Sequence, residues 1–364
     1  MLRSSLLLLA LSVSPGAGSP PGTSGRIVYV AEEPASAWLQ SYLEGLEPDP
    51  DRRLVIQLGG EPGPGVDRVL EREDPGVDDP ELARAVDDAA LLELRGGTFM
   101  GWYDTLYPSS GRTRLAIALH EFAVSEKTLV VTGGAAAFLS GGTLVPLEEL
   151  ERPERNPRRT DPDRPRVASG LGPRALFDAD AWPGGSPLRL LQALRTTHID
   201  LGFYFVGEAA LELERDPAGL TVKGQGRVLL LDLRRARRPR ERVEEARVSV
   251  LKEGDRWDFR EQRVLVPETR RGQGPTAPEP LDYGGRPLQG TELAFAVWHV
   301  ATGPERALTF TELAPGRGPA RWELSWDADS RIVTPESQTG SAPAHSSALS
   351  VPLRVTWGVA LDED

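Results

Sequence analysis

The sequence predicts an α/β fold, in which a mostly parallel sheet is flanked by helices and a small C-terminal all-β module follows. Between residues 26 and 131, short apolar runs alternate with amphipathic stretches. This alternation is typical of parallel strands covered by helices on both faces. After residue 286, several segments have period-2 patterns between turns, which is typical of half-buried antiparallel strands. The length of 364 residues is consistent with two such units.

The elements follow from local pattern in chain order. "RIVYV" (26–30) and "RLVIQL" (53–58) are predicted strands, and "PASAWLQSYLEGL" (34–46) is a predicted amphipathic helix. Further helices are predicted at 80–89, 113–126 and 186–197, and further strands at 90–94, 129–131, 198–205, 209–233 and 246–267. The predicted units are an α/β domain at 25–267, a Pro/Gly-rich linker at 268–285 and a β module at 286–364.

The N-terminus has the pattern of a secretory signal peptide. Residues 1–19 contain a positive charge at Arg3, an apolar stretch at Leu6–Val13 and then small residues. The apolar stretch is too short to cross a bilayer core of roughly 30 Å as a helix. We therefore expect export to the periplasm or the extracellular space, without a transmembrane segment. The absence of Cys means that no disulfide stabilises the chain.

Charge and ligand chemistry exclude several function classes. The net charge of -12 disfavours nonspecific nucleic-acid binding, which requires neutralisation of phosphates. The basic run at 232–242 is interpreted as a solvated turn in preference to an anion site. There is no Cys and no pair of His at ligand spacing, and "WDADS" (326–330) is interpreted as a β-turn rather than a calcium loop. We predict no metal and no cofactor.

Two glycine-rich turns follow consecutive predicted strands. One contains Gly96, Gly97 and Thr98, and the other runs from Gly133 through Gly134 to Ala136. In a parallel sheet, ligands bind beyond the carboxyl ends of the strands. Glycine permits close backbone approach, so backbone amides there could bind an oxyanion or a carboxylate.

Three stretches resemble the cyanophycinase and peptidase E family of serine peptidases, which has a class I glutamine-amidotransferase-like fold. "LLELRGGTFMGWYDTL" (91–106) resembles the family's strand and Gly-Gly turn, and "LVVTGGAAAFLS" (129–140) resembles its nucleophile elbow. "GLGPRALFDADAWPGGSPLRLLQAL" (170–194) is similar to the segment that carries its catalytic His. The resemblance covers roughly residues 25–265 and rests on order and spacing more than on identity.

The resemblance implies a catalytically degenerate member. The family's nucleophilic Ser falls on Ala135, its general-base His falls near Asp180, and the carboxylate nearest its acidic pair is Glu208. Serine catalysis needs a nucleophile, a base and an orienting group, and none of the three is kept in register. The favoured hypothesis is therefore an exported pseudoenzyme that binds a peptide or a small carboxylate, or serves as an interaction protein.

Two alternatives remain open. In the first, a rearranged site hydrolyses peptide or amide bonds through Asp180, Glu208 or His198, the best candidate for a relocated base. In the second, the C-terminal module binds envelope components or glycans through its tryptophans, although such aromatic residues more often fill a core. These tryptophans are Trp298, Trp322, Trp326 and Trp357.

Overall fold

A computed structural model describes the following residues of the chain: 25–30, 37–71, 74–108, 111–139, 173–181, 185–197, 199–215, 218–239, 241–267, 288–302, 304, 306–314, 318–333 and 347–357. The predicted signal peptide (1–19) and the predicted linker (268–285) lie outside these ranges, as does His198. Within these ranges, none of the helices has both the length and the apolar character that a membrane crossing requires.

The helices in the described ranges are α1 Ala37–Leu46, α2 Pro80–Asp88, α3 Phe99–Leu106, α4 Arg114–Val124, α5 Gly133–Leu139, α6 Pro187–Thr197 and α7 Gly290–Thr302. Polar N-caps begin three of them. The side chains of Asp79, Thr98 and Thr113 accept hydrogen bonds from backbone amides in the first turns of α2, α3 and α4.

The strands are β1 Arg26–Val30, β2 Arg53–Leu58, β3 Arg68–Leu70, β4 Leu91–Gly96, β5 Thr128–Thr132, β6 Leu176–Ala179, β7 Leu201–Val206, β8 Ala210–Arg215, β9 Ala218–Lys223, β10 Arg227–Asp232, β11 Arg242–Leu251, β12 Arg256–Asp258, β13 Arg263–Leu265, β14 Ala307–Ala314, β15 Gly318–Ser325, β16 Arg331–Val333 and β17 Ser347–Trp357. They form two sheets. The first has the order β13-β12-β9-β8-β1-β5-β4-β2-β3, and the second has the order β14-β15-β17-β11-β10-β7-β6, with β16 paired to β17.

The first sheet is parallel in one half and antiparallel in the other. Strands β1, β5, β4, β2 and β3 pair in parallel. From β1 outward to β13, every pairing is antiparallel. In the second sheet the β6–β7 pair is parallel, and the other described pairings are antiparallel.

Strand alternation shows how the two sheets share a core. Ile27 and Tyr29 of β1 and Phe203 and Phe205 of β7 belong to the same buried cluster. The next residues along each strand point the other way: Val28 lies in a cluster with α1, and Tyr204 lies in a cluster with α6 and α7. Because successive side chains of a strand face opposite sides, both sheets are apolar on both faces. The sheets therefore pack against each other and are covered by helices outside.

The predicted fold class is wrong. The described chain consists of two mixed sheets, not one mostly parallel sheet with a separate all-β module. Strand β17 pairs with β11, so the C-terminal strands extend the second sheet. "TELAFAVWHVA" (291–301), one of the period-2 segments predicted as strands after residue 286, lies within helix α7, which is buried on most of its surface. A short apolar run that is buried on nearly all sides shows no periodicity that separates a strand from a helix.

Candidate functional site

The two glycine-rich turns are in backbone contact at one edge of the first sheet. Strands β4 and β5 are parallel neighbours with Leu94 opposite Val131, so their carboxyl ends lie side by side. A Cβ atom built on Gly134 would lie 2.3 Å from the carbonyl oxygen of Gly97. Glycine is therefore required at position 134 for the turns to approach this closely.

The corner between β5 and α5 carries no reactive side chain. Gly133 has φ +53°, and a Cβ on it would have no described atom within 4 Å. Ala135 and Ala136 are buried in the core. A nucleophile elbow holds its nucleophile on the strained strand-to-helix turn with the reactive atom exposed, and the backbone here places that turn at Gly133, two residues before Ala135. Neither position has a hydroxyl or a thiol.

A groove of about 1030 Å³ runs beside this corner, along the carboxyl ends of β2 and β4. We call it the carboxyl-edge groove. Its described lining residues are Gln40, Gln57, Leu58, Gly59, Gly60, Glu61, Gly63, Pro64, Arg95, Gly96, Gly97 and Thr98. Positive φ values at Gly59, Gly60, Gly96 and Gly97 turn the backbone sharply at both strand ends. Much of the wall is therefore peptide backbone, which can donate to an anionic group where its amides are not already bonded, as those of Gly59 and Gly63 are.

Side chains fix this backbone in place. The Gln57 amide donates to the carbonyl oxygens of Gly59 (2.9 Å) and Glu61 (2.8 Å) and accepts from the amide of Gly63 (3.2 Å). On the other wall, Trp102 Nε1 donates to the carbonyl oxygen of Gly96 at 2.9 Å. The groove is thus built before any ligand binds, which lowers the entropic cost of binding.

Arg95 supplies the positive charge among the described lining residues, and that charge is compensated. Its guanidinium donates to both carboxylate oxygens of Glu93, at 2.7 and 2.8 Å, and to the carbonyl oxygen of Pro64 at 2.9 Å. Both Arg95 and Glu93 are buried. The pair holds the 59–64 loop against β4, and a ligand would meet the backbone wall and not a free cation.

Asp180 has a structural role in the fold. Its Oδ1 accepts hydrogen bonds from the Tyr204 hydroxyl at 2.8 Å and from the backbone amide of Gly290 at 2.9 Å. Gly290 begins α7, where backbone amides have no partner within the helix. Burial, reinforced by Asp178 and then Asp180, raises the pKa of Tyr204, so the tyrosine stays a hydrogen-bond donor. Asp180 therefore ties the end of β6 to α7.

Asp178, one pleat earlier on β6, was missed by the sequence analysis. Its side chain is fully buried, Oδ1 accepts from the Ala179 amide at 2.9 Å, and Oδ2 has no hydrogen-bond partner among the described residues. Burial raises the pKa of Asp178 to about 7, with the charge of Arg189 opposing the shift. A carboxylate inside the apolar stretch "ALFDA" was the available sequence signal. Since it is sealed from solvent, Asp178 is inaccessible to a substrate.

Glu208 lies in the link that carries the chain from the second sheet to the first. Within the described residues its carboxylate has no hydrogen-bond or ion-pair partner, and its carbonyl oxygen accepts from Gly226 at 2.7 Å. Val30 is opposite both Thr132 and Ala210, so Glu208 lies toward the same edge as the β5 corner. No hydrogen bond joins Glu208 to Asp180 in the described chain.

The tryptophans of the C-terminal segment do not form one exposed surface. Trp298 and Trp322 are fully buried in the second core cluster, and Trp322 Nε1 donates to Glu312 at 2.8 Å. Trp326 is half-buried beneath the guanidinium of Arg306. The side chain of Trp357 lies outside the described set.

The described ranges contain no candidate metal site, since no three His, Asp or Glu side chains there are grouped so that they could hold an ion. His120 is half-buried on α4, and His299 is half-buried on α7 with no hydrogen-bond partner for Nδ1 in the described chain. Neither histidine lies among the described residues that line the groove.

Comparison with known proteins assigns no family. No protein-family model and no curated protein matches the chain. Among solved structures, a peptidase from an acI-B1 Actinobacterium is similar, with a TM-score of 0.44 and 18% sequence identity over 65% of this chain and 98% of that chain. A likeness of this level gives the chain neither a family nor an activity.

Proposed function

We propose that the chain is an exported protein that binds a peptide or a small carboxylate ligand in the carboxyl-edge groove without hydrolysing it. The observation that carries this proposal is the corner after β5: it has the strand-to-helix geometry of a nucleophile elbow, but Gly133 to Ala136 have no reactive group. Acyl transfer through such an elbow requires an attacking oxygen or sulfur atom at this point. Export is proposed from the signal-peptide pattern of residues 1–19.

The groove itself supports a carboxylate ligand. Its described walls include the glycines that follow β2 (Gly59, Gly60 and Gly63) and those at the end of β4 (Gly96 and Gly97), which carry no side chain over the backbone. The amides of Gly59 and Gly63 already donate to Leu70 and Gln57, and the one described cation, Arg95, is already paired with Glu93. Backbone amides gathered in a turn bind carboxylate groups without needing a lysine or arginine. Binding through backbone would recognise the end of a peptide in preference to a particular side chain.

The first test measures turnover and binding on the mature chain, residues 20–364. Asp-X dipeptides, β-Asp-Arg dipeptide and cyanophycin, the substrates that the family resemblance suggests, are assayed for hydrolysis. The same compounds are titrated calorimetrically. We expect no turnover and a saturable heat for at least one peptide with a free carboxylate. Hydrolysis by the wild-type protein that a groove substitution abolishes would overturn the proposal.

Two matched glycine variants locate the binding. Gly59 and Gly65 both have left-handed backbone, φ +67° and +69°, and a Cβ on either would have no described atom within 4 Å. Gly59 lines the groove, and Gly65 is not among its described lining residues. Asn tolerates the left-handed conformation, so both variants should fold. We expect Gly59→Asn to weaken ligand binding at least tenfold and Gly65→Asn to leave it unchanged.

A further inference from the structure

A second cleft, separate from the carboxyl-edge groove, is lined by the end of β10, the start of β16, the residues just before β13, and residues within β11 and β17. It has a volume of about 740 Å³, and four arginines line it: Arg234, Arg235, Arg247 and Arg331. We call it the arginine cleft. Three acidic side chains, Asp232, Glu261 and Asp329, line it as well.

Each of these three carboxylates already has an arginine partner. Asp232 binds Arg234 at 2.6 Å, and Asp329 lies 3.5 Å from Arg247. Glu261 lies 3.9 Å from Arg263, which lines a smaller cavity of about 80 Å³ that shares several lining residues with the cleft. The acidic residues therefore do not cancel the charge of the remaining arginines.

The inner arginines are rigidly held. Arg234 stacks over the ring of Trp257 at 4.7 Å and donates to Gln262 at 3.1 Å, in addition to its pair with Asp232. Arg247 donates to the backbone oxygen of Ser350 at 2.7 Å and pairs with Asp327 at 2.8 Å. Their guanidinium groups are therefore fixed in orientation and lose little entropy when a further anion binds.

The outer arginines are uncompensated. Neither the Arg235 side chain nor the Arg331 side chain has a hydrogen bond, ion pair or ring contact with any described residue, and both residues are exposed at the cleft. The chain as a whole has a net charge of -12, so a cleft with two unpaired guanidinium groups has a local charge opposite in sign to that of the protein. Arginine forks match the geometry of carboxylate and phosphate groups.

Backbone strain gathers at the same place. Four non-glycine residues of the described chain have positive φ, and two of them, Gln262 (φ 51°) and Ser350 (φ 57°), line the arginine cleft. Ser350 lies where the β11–β17 register is irregular, and its amide donates to the side-chain oxygen of Ser249 at 2.9 Å. Strained residues and bulges cost free energy, and they persist only where the surrounding structure holds them in place. They are found more often at functional sites than elsewhere.

From these observations we propose that the arginine cleft binds a small multivalent anion that carries carboxylate or phosphate groups. Arg235 and Arg331 supply the free charge, and the fixed guanidinium groups of Arg234 and Arg247 supply the floor. The sequence analysis had favoured a solvated turn for residues 232–242; in the structure Arg237, Arg238 and Arg242 of that run pair with protein carboxylates, and Arg235 does not.

The test uses citrate and pyrophosphate as probes, with acetate as the monovalent comparison. Binding to the mature chain is measured by calorimetry and by the fluorescence of Trp257, obtained as the difference between wild type and Trp257→Phe. We expect citrate, pyrophosphate or both to bind at least tenfold more tightly than acetate, and the affinity to fall as salt rises. Citrate alone binding identifies a carboxylate ligand, and pyrophosphate alone identifies a phosphate ligand.

A charge-matched control separates the cleft from the overall charge. Arg235→Gln/Arg331→Gln removes the two free charges of the cleft, and Arg84→Gln/Arg114→Gln removes two exposed charges on α2 and α4. We expect the first double variant to weaken the multivalent anion at least tenfold and the second to change its affinity less than twofold. Absence of multivalent-anion binding by the wild type, or equal loss in both double variants, would overturn the proposal. Peptide binding in the carboxyl-edge groove is measured separately and is expected to survive both changes.

Discussion

Replacing Gly134 by alanine tests the contact on which the carboxyl-edge groove depends. The new Cβ would lie 2.3 Å from the oxygen and 2.7 Å from the carbon of the Gly97 carbonyl, whereas ordinary contact begins at 3.4 Å. The two turns would have to separate by about 1 Å, and overpacking of this kind costs about 3 kcal/mol. Alanine in a helix recovers about 1 kcal/mol relative to glycine. The expected net loss is about 2 kcal/mol in the free energy of unfolding.

The assay is urea unfolding followed by tryptophan fluorescence, with Gly133→Asn as the control. Position 133 is adjacent to position 134, but a Cβ there meets no described atom within 4 Å, and asparagine tolerates its φ of +53°. We expect the control to lose less than about 1 kcal/mol. A Gly134→Ala protein as stable as the wild type would refute the close approach of the two turns. Weakened peptide binding in Gly134→Ala alone would link that approach to the groove.

Three further predictions concern buried polar groups. Asp180→Ala should lower the free energy of unfolding by about 2 to 4 kcal/mol, because the Tyr204 hydroxyl on β7 and the Gly290 amide at the start of α7 lose their acceptor. Asp180→Asn keeps an acceptor and should lose less, and urea titration compares the two variants. Glu93→Ala should cost about 3 to 5 kcal/mol by leaving Arg95 buried and uncompensated, and the double change Glu93→Leu/Arg95→Met should recover much of it by the same titration. Burial raises the pKa of Asp178 and of Glu312 to about 7, above their unfolded values. Their contribution to stability is therefore fully present only below the unfolded values of about 4, and it is lost as pH rises through about 7. Asp178→Asn/Glu312→Gln should flatten the dependence of stability on pH over that window, and an unchanged slope would contradict this reasoning.

Short-range sequence patterns correctly predicted those strands and helices that depend mainly on their own residues. Strands β1, β2, β4 and β5 and helices α2, α4 and α6 form close to where the sequence placed them, because each combines an apolar run or stripe with a cap or a turn. The two glycine turns were also found from sequence, since they follow strands that are neighbours in a parallel half-sheet.

Other features depend on partners that are distant in sequence. The division into two sheets is decided by pairings such as Val243 with Val355, and no local periodicity contains that information. Helix α7 was mistaken for a strand because its surroundings bury it on most sides. The arginine cleft joins Arg247 to Arg331 across residues that only the fold brings together.

The position of the last strand has a consequence for how the protein is made. Strand β17 lies inside the second sheet, between β11 and β15, and is not at its edge. Until residues 347–357 have been synthesised, β11 and β15 each lack a neighbour and the second sheet stays open at its centre. Long-range strand pairings of this kind form late and slowly. The second sheet can therefore close only once β17 is available, and a chain that stops before residue 347 should be degraded in a cell and should not form a smaller working domain.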